Sequence, residues 1–283
     1  MDRTQIMPRD IEQDIQAAGL KVRTLIANRH PKVAFLLGSG LGGLADDLQD
    51  SVVIPYTDID GFPTPTVAGH DGRLVFGTLN GVDVLFLKGR VHAYETRDFT
   101  SFKMLIRTIK HLGIETLFTT SSSGSLHEDM PPGAIMMISD HINLMGTNPL
   151  IGINDDDVGP RFPDMSDCWS NTLRQSLRTC AEGLDIPLHE GVYVGFRGPC
   201  FETPAEIHMA RVIGGHAVGM SAIPENIIAN HCGLRVMGCA VITNFAAGMV
   251  RGEHLSHAHT LTGAKLAYEN LSRLIPSFVK TLS

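Results

Sequence analysis

The sequence predicts an α/β fold: a single domain over residues 1–283, with a mixed β-sheet core surrounded by helices. Short apolar runs that end in glycine or polar residues alternate with amphipathic helical segments, which is the order of a largely parallel sheet. The dipeptide Asn80-Gly81 separates two further apolar runs and predicts a hairpin, which adds antiparallel pairing. Hydrophobic residues make up 43% of the chain and charged residues 19%, so a sizeable core is expected.

The strands are predicted from largely apolar runs of five to ten residues. The run over residues 33–37 ends in glycines, as a buried strand often does. Residues 73–79 and 82–87 flank Asn80-Gly81, a dipeptide that readily adopts the positive φ angles of a two-residue turn. Further strands are expected at residues 116–120, 134–138, 217–221 and 234–243.

The helices are predicted from apolar spacing and from capping residues. Residues 1–30 are expected to form a helical extension, and residues 99–112 carry their apolar side chains on one face before Gly113. Thr203-Pro204-Ala205-Glu206 predicts a helix start, since threonine caps, proline fits the first turn and glutamate closes a capping box. Residues 270–282 also have a helical pattern, with Pro276 as a kink.

Polar or glycine-rich segments lie at or just beyond the ends of five of the predicted strands. In open α/β sheets, ligands bind beyond the carboxyl ends of strands, so these segments are expected to share one pocket. They are the Gly38 loop, Arg90-Val91-His92, the Ser121-Ser122-Ser123 loop, Met220-Ser221 and Asn244.

The segment Gly38-Ser39-Gly40-Leu41-Gly42-Gly43 allows backbone N–H groups to approach an anion closely. It also matches the GxGxxG pattern of dinucleotide-binding folds, and Asp58 stands about 20 residues further on. The second strand is very short, however, and no Gly-Lys-Ser/Thr follows, so the segment is not a Walker A loop. Phosphate contact, dinucleotide binding and a plain turn all stay open from this motif alone.

A second cluster combines Arg90, His92 and Tyr94, which point to one side of an extended segment. Arginine offers a planar fork for phosphate, and histidine donates or carries charge near neutral pH. An ordinary ion pair at a solvated strand end is the alternative. Phe201 and Glu202 directly precede the helix that starts at Thr203 and are further candidates for a binding site. The alternative is structural: Phe201 packs against the first turn, and the Glu202 carboxylate interacts favourably with the positive end of the helix.

Composition excludes several classes of partner. Aromatic residues make up 6% and the formal net charge is −7, which argues against nucleic acid and against an anionic membrane surface. The five cysteines have no CxxC spacing and are expected to be thiols in a reducing cytoplasm. No signal peptide and no membrane span are expected. His254, His257 and His259 have no cysteine at ligand spacing, so we expect no metal.

In combination, these segments resemble the trimeric purine nucleoside phosphorylases that cleave inosine and guanosine. The resemblance runs from about Val33 to about His257, and the bacterial xanthosine phosphorylase branch is the most similar. Its motifs are Gly38-Ser39-Gly40-Leu41-Gly42, Gly89 to Glu95, Asp140-His141-Ile142-Asn143-Leu144, Asn148-Pro149-Leu150, Arg161-Phe162-Pro163, Gly198 to Thr203, Gly219-Met220-Ser221 and Thr243-Asn244.

This resemblance implies that a purine nucleoside and phosphate give the free base and ribose 1-phosphate, with phosphate as co-substrate and no cofactor. The catalytic residues would be His92, Glu202 and Asn244, the last two also holding the base. Phosphate would be held by Ser39, His70, Arg90, His92, Ser221 and the backbone at Ser122. The ribose would be lined by Tyr94, Phe201, Met220, His257 and, from a neighbouring subunit of a homotrimer, Phe162.

The sequence departs from the family pattern at three places. Ser121-Ser122-Ser123-Gly124 stands where the family usually has Asn-Ala-Ala-Gly, Thr96 replaces a usual glycine, and Phe245 replaces the lysine of vertebrate members. Alternatives are a methylthioadenosine phosphorylase, which typically has aspartate in place of Asn244, and an NAD(P)-binding oxidoreductase built on the glycine loop. A nucleoside-binding protein with weakened catalysis is a third.

Overall fold

A computed structural model describes residues 11–27, 29–67, 71–96, 98–252 and 254–282; within helix α6 below, the side chains of His257 and His259 are not described. Nine strands occur in these ranges. They are β1 Val33–Leu36, β2 Gln49–Pro55, β3 Arg73–Leu79, β4 Val82–Lys88, β5 Thr116–Ser125, β6 Ile135–Asn143, β7 His189–Gly195, β8 Ala217–Gly219 and β9 Arg235–Phe245.

The same ranges hold six α-helices, and these cover the sheet on both faces. They are α1 Ile11–Leu25, α2 Thr100–His111, α3 Asn171–Gly183, α4 Pro204–Val212, α5 Ile223–His231 and α6 His257–Val279.

All nine described strands belong to one mixed sheet, in the order β2-β3-β4-β1-β5-β8-β7-β6-β9. A further pairing joins β5 to β9, so the last five strands of that order form a closed circuit. Strand β5 pairs with three other strands: it is parallel to β1 and β9 and antiparallel to β8. The predicted α/β fold with a mixed sheet is therefore confirmed.

Two apolar cores pack on opposite sides of this sheet. One joins α1, α2 and α5 to the sheet through buried residues such as Val22, Ile106 and Ile227. The other joins α3 and α6 through residues such as Leu177 and Leu271. No helix among the described residues is both long enough and apolar enough to cross a membrane.

The local turn and cap predictions are confirmed. Asn80 and Gly81 have φ angles of 52° and 83° between the antiparallel strands β3 and β4. Thr203 accepts a hydrogen bond from the Glu206 N–H, and the Glu206 side chain accepts one from the Thr203 N–H, which completes the capping box.

Several element boundaries differ from the sequence-based ones. Strand β6 continues past residue 138 to Asn143, β8 ends at Gly219 instead of residue 221, and β2, which was expected to be very short, spans Gln49–Pro55. The Ser121-Ser122-Ser123 segment is not a loop, because β5 continues through it to Ser125 while β9 pairs with it; Asn244 likewise lies inside β9. Tertiary pairing overrides the low β-propensity of serine and asparagine here. Helix α6 starts at His257 instead of residue 270. It includes Gly263, whose missing side chain allows contact with β9, since a Cβ there would lie 2.2 Å from Thr243 O.

Candidate active site

One cavity of about 340 Å³ lies where β1, β5, β8 and β9 end. The five polar segments predicted to share a pocket all contribute to its wall. Among its lining residues are Gly38, Ser39, Arg90, His92, Tyr94, Ser122, Phe201, Glu202, Met220, Ser221 and Asn244.

The glycine loop lies directly against strand β5. The Gly38 N–H donates to Thr120 Oγ1 at 2.8 Å, and Ser122 Oγ donates to the Ser39 carbonyl at 3.3 Å. A Cβ at Gly38 would approach Thr120 O to 3.0 Å, so glycine permits this close packing. A short 3-10 helix, Gly42–Ala45, follows the loop. Ser39 and Ser122 thus form one side of the cavity.

Arg90 is 1% exposed in the wall behind this side of the cavity. Its Nη2 donates to the carbonyls of Leu36 and Thr120 at 2.7 and 2.6 Å. Its Nη1 donates to Thr119 Oγ1 and to Glu225 Oε1, both at 3.2 Å, and the Glu225 pair is buried on both sides. These contacts join β1, β5 and α5 around one guanidinium.

His92 and Tyr94 lie next to Arg90 in a turn rather than in an extended strand, and their rings stack with centroids 4.9 Å apart. Glu95 Oε1 accepts from the His92 backbone N–H at 2.7 Å and lies 2.8 Å from His92 Nδ1. Burial alone would raise the pKa of Glu95, but hydrogen bonds from His92 and Thr66 outweigh it and lower the pKa to about 2. The carboxylate therefore fixes the His92 ring. Burial and the Glu95 charge raise the pKa of Tyr94 to about 12.

Ser221 completes this side of the cavity, two residues before helix α5 begins at Ile223. Its Oγ lies 2.8 Å from Ser121 Oγ, and its backbone N–H donates to Tyr193 OH at 3.3 Å. A helix N-terminus favours negative charge, as do the hydroxyl and imidazole donors nearby. We call the side lined by Ser39, His92, Ser122 and Ser221 the anion end of the cavity.

Glu202 and Asn244 line another part of the cavity, which we call the base end because the resemblance assigns base binding to these two residues. Both are 8% exposed. Asn244 Nδ2 donates to the Phe245 carbonyl at 2.8 Å and its Oδ1 accepts from Thr243 Oγ1 at 2.8 Å, so the amide is fixed in position. A Cβ on Gly124 would lie 3.3 Å from Asn244 Nδ2, and its absence keeps that space open.

Glu202 differs from its surroundings because its Oε1 is buried and meets no hydrogen-bond partner among the described residues. Burial raises the pKa of this carboxyl above its usual range. A buried acceptor without a partner is costly in a folded protein. The group is thus suited to accept a hydrogen bond from a molecule in the cavity.

The remaining predicted residues fall into three groups. Tyr94, Phe201 and Met220 line the cavity, although Phe201 is 41% exposed. Phe162 lies elsewhere: it is 87% exposed and borders a second cavity of about 370 Å³. His70 and the side chain of His257 lie outside what the structure describes, so their assigned roles stay predictions.

Sequence reasoning missed Tyr193 and Glu225, because each lies more than 70 positions along the chain from its partner, Ser121 or Arg90. It also missed the cluster of Asp140, His141 and Cys168, whose possible ligand atoms lie within 4.8 Å of one another. Trp169 Nε1 donates to His141 Nδ1 at 3.0 Å, and burial raises the pKa of Cys168 to about 12. We therefore interpret these three residues as a hydrogen-bonded structural cluster and not as a metal site.

Comparisons with known proteins agree on one family. The model of the Phosphorylase superfamily matches residues 32–280. The chain is 45% identical to purine nucleoside phosphorylase 1 of Geobacillus stearothermophilus over 89% of this chain and 92% of that one. It is 42% identical to the purine nucleoside phosphorylase of Mus musculus, over 89% of each chain.

Solved structures lead to the same group. The purine nucleoside phosphorylase of Schistosoma mansoni in complex with inosine has a TM-score of 0.90 and 34% identity, over 96% of this chain and 97% of that one. A Schistosoma purine nucleoside phosphorylase in complex with guanosine has a TM-score of 0.88 and 32% identity, over the same shares.

Proposed function

Because this chain belongs to the Phosphorylase superfamily, among its purine nucleoside phosphorylases, we propose that it cleaves 6-oxopurine nucleosides with inorganic phosphate. The products are the free base and ribose 1-phosphate. The observation that carries the choice of a 6-oxopurine is the buried Glu202 Oε1, which has no partner among the described residues and lines the same cavity as the anion end.

Phosphate is the nucleophile, and the anion end aligns it. Because phosphate is already an anion, no serine or cysteine nucleophile and no cofactor is required. Ser39, His92, Ser221 and the backbone of Ser122 line this end, and α5 adds the positive end of a helix dipole. Holding a nucleophile in line with the reacting carbon supplies about 7–11 kcal/mol in well-oriented cases.

The ribose carbon gains positive charge as its bond to the purine breaks, as in other glycosyl transfers. Phosphate, placed behind that carbon, offsets this charge. We propose that Tyr94, Phe201 and Met220 line the sugar between the two ends of the cavity. Arg90 keeps its proposed role toward phosphate, and its contacts with Glu225 and three oxygens of β1 and β5 hold it at that wall.

The leaving purine carries negative charge, which the base end stabilises. Asn244 Nδ2 has a second N–H beside the one given to Phe245 O, and this donor suits N7 or O6 of the purine. Glu202 suits the N1–H of a 6-oxopurine. Adenine has a lone pair at N1, so two acceptors would face each other, and mismatches of this kind discriminate by about 10⁴-fold or more.

Phe162 supports an assembly that completes the site. Both Phe162, 87% exposed, and Ile151, 70% exposed, border the second cavity, and exposed apolar clusters mark interfaces. We propose a homotrimer in which Phe162 reaches the ribose of a neighbouring subunit. The five cysteines are free thiols, which fits the cytoplasmic location that we propose.

The oxidoreductase alternative loses its structural basis. A dinucleotide site needs a parallel βαβ unit after the glycine loop. Here the loop leads to a 3-10 helix and to β2, which pairs antiparallel with β3. The methylthioadenosine alternative is tested by Asn244→Asp, which should move preference toward adenosine. Unchanged preference would remove Asn244 from base recognition.

The deciding experiment measures base release from inosine, guanosine, xanthosine and adenosine, with and without phosphate. We expect phosphate-dependent cleavage of inosine and guanosine and little of adenosine. Absence of cleavage of all four would refute the proposed reaction. Cleavage that favours adenosine would refute the base assignment and leave the phosphate assignment standing.

A further inference from the structure

We propose that Ser121 and Tyr193 are positioning residues that turn the hydroxyl proton of Ser221 toward the bound anion. The inference rests on the proposed phosphate site and explains what Ser121 does where the family pattern has asparagine. Neither residue needs to touch the substrate. Both act through a ring of hydrogen bonds that we call the hydroxyl ring: Ser221 N, Tyr193 OH, Ser121 Oγ and Ser221 Oγ.

The distances close this ring. The Ser221 backbone N–H donates to Tyr193 OH at 3.3 Å. Tyr193 OH lies 3.1 Å from Ser121 Oγ, and Ser121 Oγ lies 2.8 Å from Ser221 Oγ. Three segments far apart in the chain, β5, β7 and the turn before α5, therefore meet at one point behind the anion end.

Counting protons gives the ring a direction. A backbone N–H can only donate, so the Tyr193 oxygen accepts from Ser221, and we assign the Tyr193 proton to Ser121 Oγ, 3.1 Å away. The proton of Ser121 then has Ser221 Oγ as its near acceptor, at 2.8 Å, against 3.4 Å to the Ser122 carbonyl. Ser221 Oγ, having accepted one hydrogen bond, keeps its own proton for the cavity. Hydrogen bonds in such a chain polarise one another and strengthen the last donor.

Burial keeps the ring intact. Tyr193 is 0% and Ser121 1% exposed, whereas Ser221 is 8% exposed and lines the cavity. Burial raises the pKa of Tyr193, so the phenol retains the proton that the ring needs. Gly219 makes room for it, because a Cβ there would lie 2.2 Å from Tyr193 OH. Only the end of the ring that faces the anion is accessible.

The test compares Ser121→Ala and Tyr193→Phe with Ser125→Ala, which removes another buried hydroxyl of β5 that bonds the His127 carbonyl instead. We expect the two ring variants to raise the KM for phosphate about 2- to 12-fold, the worth of one neutral hydrogen bond. The KM for inosine and kcat should stay within about 2-fold, and Ser125→Ala should match the unchanged protein. Because Ser121→Ala and Tyr193→Phe test the same ring, the prediction can still be tested if one of these two variants does not fold.

A double variant separates positioning from packing. If Ser121 acts through Ser221, adding Ser121→Ala to Ser221→Ala causes no further rise in the phosphate KM. The same rise in both backgrounds, or equal effects of Ser121→Ala and Ser125→Ala, would overturn the inference. Phosphate-dependent cleavage by the unchanged protein tests the proposed function separately. If that cleavage were absent, the proposed function would fail before the ring was tested.

Discussion

The anion end and the base end of the cavity are built in opposite ways. At the anion end, His92 and Ser221 are held by protein partners, and Arg90 behind them makes four hydrogen bonds to its surroundings. At the base end, Glu202 Oε1 is buried with no partner among the described residues. A charged nucleophile requires donors whose orientation is fixed in advance. Discrimination between bases requires an acceptor that only the correct base satisfies.

The largest effect is expected from removing the buried ion pair between Arg90 and Glu225, which lies behind the anion end. Glu225→Ala leaves the Arg90 guanidinium buried without its carboxylate, and breaking a buried ion pair costs about 3–5 kcal/mol. Urea denaturation should show this loss in the free energy of unfolding. The matched control is Glu115→Ala, which removes the exposed partner of Arg235 and should cost at most about 1 kcal/mol. Equal losses would mean that the anion end is not braced by the Arg90–Glu225 pair.

Next in size is the removal of the donor at the base end. Asn244→Ala should lower kcat for inosine about 10²–10³-fold, the usual cost of losing one donor to a developing negative charge. Steady-state kinetics at saturating phosphate measure it, and the KM for phosphate should be unchanged. A change confined to the phosphate KM would place Asn244 at the wrong end of the cavity.

A smaller effect is expected for the unpaired acceptor. Glu202→Ala should lower kcat/KM for inosine about 10- to 100-fold, the worth of a hydrogen bond to a charged group. The unfolding free energy should not fall, since no described protein partner of Oε1 is lost. Glu206→Ala is the control, because that exposed carboxylate caps α4 and does not line the cavity. A similar loss of activity in both variants would contradict the assignment.

The smallest effect concerns pH, where the two ends should respond differently. Burial raises the pKa of Glu202 above the ordinary value of 4.5. Only the ionised carboxylate accepts the N1–H of hypoxanthine. The protein should therefore bind hypoxanthine at a pH above this raised pKa and lose affinity as the pH falls through it. The pKa of Glu95 is lowered to about 2, so its contribution to stability is complete above pH 4.5 and is lost between pH 4.5 and about 2. Calorimetric titration of hypoxanthine and acid denaturation of Glu95→Gln measure the two. If hypoxanthine affinity and the stability contributed by Glu95 were lost over the same pH range, the proposed difference between the two ends would be wrong.

Local signals in the sequence predicted much of this molecule. The Asn80-Gly81 turn and the Thr203 capping box depend on residues within a few positions of each other, and both have the expected geometry. The glycine loop and the predicted polar segments also meet in one cavity, because strand ends on one edge of a sheet converge.

Interactions between distant residues were not predictable in this way. Ser121 and Ser221 are 100 positions apart, and Arg90 and Glu225 are 135 apart. The extension of β5 through its serines depends on β9, a partner that no local propensity reveals. The base-end carboxylate was identified through resemblance, and its unpaired oxygen only through the fold.

The closed circuit of β5, β8, β7, β6 and β9 also affects the tendency of the protein to aggregate. A strand at a sheet edge presents unpaired backbone groups that can recruit another chain and start aggregation. Among the described strands, closure leaves β2 as the one that pairs on a single side. That strand is protected by an irregular register between Gln49 and Val52, by exposed polar residues and by Pro55 at its end. The circuit that shapes the cavity therefore also limits edge-to-edge aggregation.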